Sequence, residues 1–253
     1  MNKYFFDDLE YGWIACLLLT FTACRYIFIP GISYFIFYVF GKNFFKKYKI
    51  QNARPARKQI KRELKFSIST IFVFTLIGII VVALYKNNYT TIYTNIEDFG
   101  WPYFFLSLLG MILLHDTYFY WTHRFLHTRW CFKHIHKIHH QSTNPTPLSA
   151  YAFHPLEAFI ESLIVFPFIL IFPIHILAFT AFTFIVLVMN VIGHLGFEFL
   201  SSDRRNHSPL DLLTSATHHN LHHQQTKRNF GYYFTFWDKV MKTLEQNNSS
   251  SRH

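Results

Sequence analysis

Two stretches of this chain carry no charged residue over lengths that match the hydrocarbon core of a bilayer. Ser67–Tyr85 reads SISTIFVFTLIGIIVVALY, and Leu163–Val191 is longer still, interrupted by Pro167, Pro173 and His175. About 20 consecutive apolar residues suffice for a spanning helix. A water-soluble domain rarely holds two such segments, so the chain is an integral membrane protein. Composition agrees: 51% of its 253 residues are hydrophobic and only 15% are charged. The length suits one domain, residues 1–245, with a polar, disordered tail at 246–253. Three cysteines (Cys16, Cys24, Cys131) give neither a disulfide framework nor a sulfur metal site. Acids in the opening MNKYFFDDLEYG stand where a cleavable signal has basic residues, which predicts a retained first span.

Charge placement sets the expected topology. A first apolar stretch runs over about Tyr11–Phe40, kinked or broken near Pro30-Gly31, with Arg25 either snorkelling to an interface or satisfied by a neighbouring helix. Lys42–Lys65 follows, with ten cations against Glu63 alone. Between two spans, such a segment is a cytoplasmic loop on anionic headgroups rather than a nucleic-acid surface. From it, Ser67–Tyr85 leads outward, Trp101–Tyr120 returns, and Leu156–Val191 goes out and back as a hairpin split near Pro173. The fold class is therefore all-α integral membrane, about four transmembrane helices with a cytoplasmic helical cap.

All sixteen histidines lie at or beyond position 115, and by this topology only His175 sits on the far side. Three clusters stand out: His123-Arg-Phe-Leu-His127, His136-Lys-Ile-His139-His140, and His219-Asn-Leu-His222-His223 preceded by His218. Residues spaced i, i+3 and i+4 share a helix face, so each cluster can aim two or three imidazoles at one point. Neutral imidazole suits Fe, Zn, Cu or Ni. The count exceeds what one tetrahedral zinc needs, so two metals are the simplest reading. No bridging carboxylate accompanies the clusters, and an all-imidazole pair open to a ligand fits oxygen-activating iron beneath apolar helices.

The run HDTYFYWTHRFLH, then HKIHH, then HHNLHH followed by NFGYYFTFWDKVMKT resembles the fatty acid hydroxylase/sterol desaturase superfamily over about Trp101–Thr243. TPLSAYAFHPLEAF is similar to the sterol ring-B desaturase branch, while GHLGFEFL and THHNLHHQ look closer to bacterial members. The resemblance implies a non-haem di-iron oxidoreductase that uses O2 and external electrons to hydroxylate or desaturate a C–H bond of a sterol-like or long-chain lipid. Its metal ligands, which carry the catalysis, fall on His123, His127, His136, His139, His140, His219, His222 and His223, with a ninth at His194. Some relatives place a second histidine four residues after that ninth one. Here Glu198 stands in its place, as a carboxylate ligand or an acceptor behind the ligands.

Asp116, Tyr120, His123 and His127 follow one helical stripe, so Asp116 is placed to accept the outer N–H of an imidazole. His154, preceding Pro155, is a helix-start residue near the site and supports it from behind the ligands. Glu157 and Glu161 form an i, i+4 pair that faces the protein interior. His115 is structural, and His134, His207 and His218 are surface residues. Tyr232, Tyr233 and Trp237 are interface aromatics, with Asp238 and Lys239 on a closing helix.

The chain contains no GxGxxG, no cysteine cluster and no HPGG haem motif, so a separate electron donor is implied: a haem carrier, or a ferredoxin with its reductase. Lipid substrate and membrane are the other partners, and nucleic acid is not one. The location is the cytoplasmic membrane of a bacterium or the endoplasmic reticulum of a eukaryote. Two rivals are a Zn/Fe transporter, which needs ligands along a path across the bilayer, and a zinc-dependent membrane hydrolase. For the latter HExxH is absent.

Overall fold

A computed structural model describes residues 9–199 and 209–245. His207 and the tail at 246–253 lie outside the described residues. Four helices are long and apolar enough to cross a membrane: α1 (Tyr11–Phe40), α2 (Arg57–Lys86), α3 (Gly100–Leu126) and α7 (Ile176–Gly193). Between α3 and α7 the helical segment 129–140 (α4) carries the second histidine cluster, and α5 (Pro155–Ser162) and α6 (Val165–Ile171) rise in two short steps. After α7 come α8 (Ala216–Gln225), which carries the third cluster, and α9 (Phe236–Val240).

Pro30 does not break α1. The helix widens to π-type turns at Ile27–Gly31 and again at Phe35–Phe40. The wider turn takes up a ring that would otherwise press on the carbonyl four residues back. Arg25 is satisfied by α7: one guanidinium nitrogen donates to Thr183 Oγ1 at 3.4 Å, the other to the Thr183 carbonyl. The expected hairpin exists, but its outward limb is α5 and α6 with a turn between them, not one continuous span.

The basic segment is helical in its second half, where α2 extends well before Ser67. Glu63, its single acid, is fully buried and accepts from Thr146 Oγ1 (2.7 Å) and Gln59 Nε2 (2.8 Å), while Gln59 also donates to the Asn144 carbonyl (2.7 Å). Arg57, Lys58, Lys61 and Lys65 point away and are exposed. One helix thus presents cations to its surroundings and fastens the loop behind the second cluster with its inner face.

At the opposite end, β1 (Ile92–Tyr93) pairs in parallel with β2 (Ile174–His175), Ile92 against Ile174 and Tyr93 against His175. His175 accepts from Leu177 N (3.1 Å) through Nδ1 and donates to the Thr94 carbonyl (3.0 Å) through Nε2, so it caps α7 far from the other clusters. Three apolar cores hold the helices together, the third, around Leu126, Cys131 and Ile135, joining α3 to α4. Tyr26, Ile71, Leu148 and Leu187 join α1, α2 and α7, and Met111, Phe168, Ile174 and Phe182 join α3, α6 and α7.

Candidate metal centre

The cap-side ends of α3 and α7 meet α4 and α8, and nine imidazoles converge there in two groups. His123, His127, His136, His140 and His222 form one; His139, His194, His219 and His223 form the other. Within each group one ligand atom per residue lies within 4.8 Å of all the others. The sequence clusters do not map one to one onto these groups. In HKIHH the i, i+4 pair His136/His140 enters the first group and His139 the second; in HNLHH the pair His219/His223 enters the second and His222 the first. The i+3 member of each box is rotated by about 100° from the helical position of i+4, so it points past its own pair into the neighbouring group.

In the first group, His140 Nε2 stands 3.1 Å from His136 Nε2, 3.2 Å from His127 Nε2 and 3.1 Å from His222 Nε2, and His127 and His222 are 3.1 Å apart. In the second, His194 Nε2 lies 3.2 Å from His139, 3.0 Å from His219 and 3.3 Å from His223, with 3.1 Å between His219 and His223. Hydrogen bonds among the rings cannot account for this. A neutral imidazole has one donor and one acceptor nitrogen, and several of these rings have already committed the donor elsewhere. His123 Nδ1 donates to the Phe230 carbonyl (3.0 Å), His222 Nδ1 to Arg228 (2.6 Å), His194 Nδ1 to Asn190 (2.8 Å) and His136 Nδ1 to Glu157 Oε1 (2.8 Å). Their Nε2 atoms therefore present lone pairs to a shared centre. Ligand nitrogens about 2.0–2.1 Å from a metal stand roughly 2.9–3.4 Å from one another, depending on geometry. The spacing fits a cation between the rings.

Burial reinforces the donor set. His136, His139, His140, His219, His222 and His223 have pKa values held well below the usual imidazole range, first by burial and then by the neighbouring imidazoles, with the bond to Arg228 opposing the shift at His222. His194 is pushed down to about 4 by burial, against the pull of its bond to Asn190. All are neutral near pH 7 and ready to coordinate. In the metal-free chain these rings stay uncharged when folded, whereas the unfolded chain takes up protons near 6.5. Their contribution to stability is complete above that value and is lost progressively as pH falls below it, for His194 down to about 4, each tenfold difference in proton affinity between the two states counting about 1.4 kcal/mol. The chelator-treated protein in detergent should show a melting temperature that drops steadily from about pH 7 to about pH 4.5. A flat profile would contradict the buried, neutral state.

Backbone devices aim the rings. Ser215 caps α8 by accepting from His218 N (3.3 Å). Thr226 and Asn229 both take a left-handed backbone, φ 60°, an unusual conformation for a β-branched threonine. They reverse the chain so that Arg228 and Phe230 carbonyls face His222 and His123. Asp238, 1% exposed, anchors that loop by accepting from Phe230 N (3.0 Å), Gly231 N (2.8 Å) and Thr243 Oγ1 (2.7 Å).

Of the three expected supporting residues, His154 starts its helix as the sequence implies, and Asp116 and Glu198 make other contacts. Asp116 touches no imidazole; its Oδ1 accepts from Tyr233 N (2.8 Å) and Phe234 N (3.1 Å), which pins the same loop to α3. His154 caps α5 by accepting from Leu156 N at 3.2 Å and lies outside both groups. Glu198 is likewise in neither group. Its Oε2 accepts from Thr217 N at 3.2 Å, at the N-terminus of α8. Glu198→Ala should therefore keep the full metal content while costing about 1 kcal/mol of stability, as for a lost helix cap. Loss of a metal from that variant, measured by elemental analysis, would return Glu198 to the ligand set.

The aromatic residues also differ from expectation. Tyr233 is buried, Tyr232 donates to the Val186 carbonyl (2.6 Å) and Trp237 Nε1 donates to Thr117 Oγ1 (3.1 Å), so they pack against α3 and α7. His115 is buried among Phe182, Tyr232 and Tyr233, as a structural residue. His134 is exposed, and His218 pairs with Ser215. The carboxylate behind a ligand-like imidazole is Glu157, an assignment sequence reasoning missed. Its signal was an acid just inside a Pro-initiated helix that enters an apolar segment.

A cavity opens between α3, α5, α7 and the chain around 214–232. It reaches His123 and His136 of one group and His139, His194 and His219 of the other, and Phe119, Phe153 and Met189 supply apolar walls.

The fatty acid hydroxylase family model matches residues 108–243, which contain every one of these imidazoles. Lathosterol oxidase of Rattus norvegicus is 30% identical over 85% of this chain and 69% of its own length; that of Homo sapiens is 29% identical over 92% and 76%. A Delta(7)-sterol 5(6)-desaturase of Gibberella zeae is 31% identical over 90% of this chain and 60% of its own length. No solved structure matches the chain. With more than half its length inside the family model and its imidazoles on that portion, the chain belongs to the fatty acid hydroxylase family, whose sterol desaturase members it is similar to, and is an O2-dependent membrane lipid hydroxylase or desaturase.

Proposed function

We propose that the two imidazole groups each hold one iron, with His123, His127, His136, His140 and His222 as ligands to the first and His139, His194, His219 and His223 as ligands to the second, and that the substrate is a sterol-like lipid. The observation that carries this is the convergence of nine neutral imidazoles, seven buried and two half-buried, with their lone pairs facing two centres. Irons bound there supply activation of O2, with electrons from outside, for oxidation of an unactivated C–H bond. The protein's own groups do the rest. The carbonyls of Asn190, Arg228 and Phe230 and the carboxylate of Glu157 hold four rings in one tautomer. Phe119, Phe153 and Met189 exclude water from the space beside them and accept an apolar skeleton.

The similarity to lathosterol oxidases and Delta(7)-sterol 5(6)-desaturases supports a sterol nucleus as substrate. The positive-inside pattern of Lys42–Lys65 supports a cytoplasmic location for the cap. The exposed cations on α2 supply a surface for an acidic electron donor, a haem carrier or a ferredoxin with its reductase. A transporter or hydrolase reading is not favoured, since the relatives are oxidases and desaturases.

The direct test supplies lathosterol, O2 and a reduced donor to the iron-loaded protein in membranes. A product that has lost two hydrogens or gained one oxygen is expected. No oxidation of lathosterol, by a protein that does oxidise another lipid, would overturn the sterol assignment.

A further inference from the structure

One polar group beside the cavity has no role in the chemistry above. Glu161 lies on α5 one turn beyond Glu157, about 6 Å further along the helix axis, and both line the cavity. The other polar side chains of that wall, outside the imidazole groups, are engaged. Asn190 Nδ2 donates to the Ala150 carbonyl (2.8 Å), Thr214 Oγ1 to Tyr232 (2.5 Å), and Tyr232 OH to Val186 (2.6 Å). Ser215 caps α8, and Glu157 accepts from His136 through Oε1, while its Oε2 is buried without a partner. Among the described residues, no hydrogen bond or ion pair engages the Glu161 carboxyl. An acid in an apolar surround without a partner is costly and persists where something polar meets it.

We propose that Glu161 is the specificity-determining residue that hydrogen-bonds the hydroxyl group of a sterol-type substrate in this cavity. The inference rests on the lipid-oxidising reading of the site and names the contact that orients the lipid there. A hydroxyl both donates and accepts, so it pairs with a carboxyl in either protonation state. The apolar walls at Phe119, Phe153 and Met189 suit a lipid whose one polar group is small. The short step from Glu161 through Glu157 to His136 sets the hydroxyl within a ring or two of the carbon presented to the imidazole groups. That spacing fits a compact ring system and not the distant end of a long chain.

The test compares binding of lathosterol and of 5α-cholest-7-ene, which lacks only the hydroxyl, to the iron-loaded full chain in lipid nanodiscs. Displacement of radiolabelled lathosterol is the readout. The wild type should prefer lathosterol by roughly tenfold or more, the scale of one buried hydrogen bond to a carboxyl. Glu161→Leu should abolish the preference by weakening lathosterol alone, and Glu161→Gln, which keeps a donor and an acceptor, should retain part of it. Iron content and 5α-cholest-7-ene affinity should be unchanged in both variants. A preference that survives in Glu161→Leu, or equal binding of both compounds by the wild type, would overturn the role of Glu161 while leaving the sterol reading intact. Binding of neither compound by the iron-loaded wild type would overturn both.

Discussion

Replacing His222 by alanine should abolish measurable lipid oxidation and remove the metal of the first group, while the protein still inserts in the membrane and the second group keeps its own. His222 is fully buried, its Nε2 is 3.1 Å from both His127 and His140, and its Nδ1 proton is committed to the Arg228 carbonyl. No other side chain can replace its lone pair, since neighbouring His223 points into the second group. The membrane helices do not depend on it, because their packing rests on the apolar cores around Leu187 and Phe182. Elemental analysis and oxidation assays on the same preparation check the prediction. Unchanged activity would exclude His222 from the site.

Glu157→Ala should have the next largest effect, although Glu157 is in neither imidazole group. It is 1% exposed, and its Oε1 accepts from His136 Nδ1 at 2.8 Å. That bond keeps the proton on Nδ1 and the lone pair on Nε2. Without it the ring can rotate or change tautomer, and losses of this kind commonly lower metal affinity about 10–100-fold, roughly 1.4–2.8 kcal/mol. Glu157→Gln can still accept from Nδ1 through its amide oxygen and should recover much of the affinity. Competition with a chelator of known iron affinity measures both variants. Equal metal affinity in wild type and Glu157→Ala would remove the carboxylate from any supporting role.

Much of this architecture is legible in the residues. Uncharged runs mark α2 and α7, and the basic segment and the histidines fall at the same ends of the helices, as charge counting predicts. The nine imidazoles that meet are the nine that motif spacing and family resemblance single out. Their division between two groups is not legible, because i+3 and i+4 share a helix face in a linear pattern and separate only when two helices face each other. The supporting contacts were harder for the same reason. Asp116 lies on the histidine stripe of α3, yet its Oδ1 accepts from the backbone N–H groups of Tyr233 and Phe234. Glu198 occupies a position that suggests a ligand but lies beside the start of α8, where an N–H group is unsatisfied. Three of the four Nδ1 acceptors are backbone carbonyls, which leave no mark on a sequence. The π-type turns that carry α1 past Pro30 likewise depend on packing and not on residue type.

Metal content of the protein purified without oxygen is the most direct test of the central claim. Two irons per chain are expected, falling by one in His222→Ala and by the other in His219→Ala. One zinc per chain without iron, or two metals that survive both substitutions, would contradict the assignment of these imidazoles to a paired iron centre.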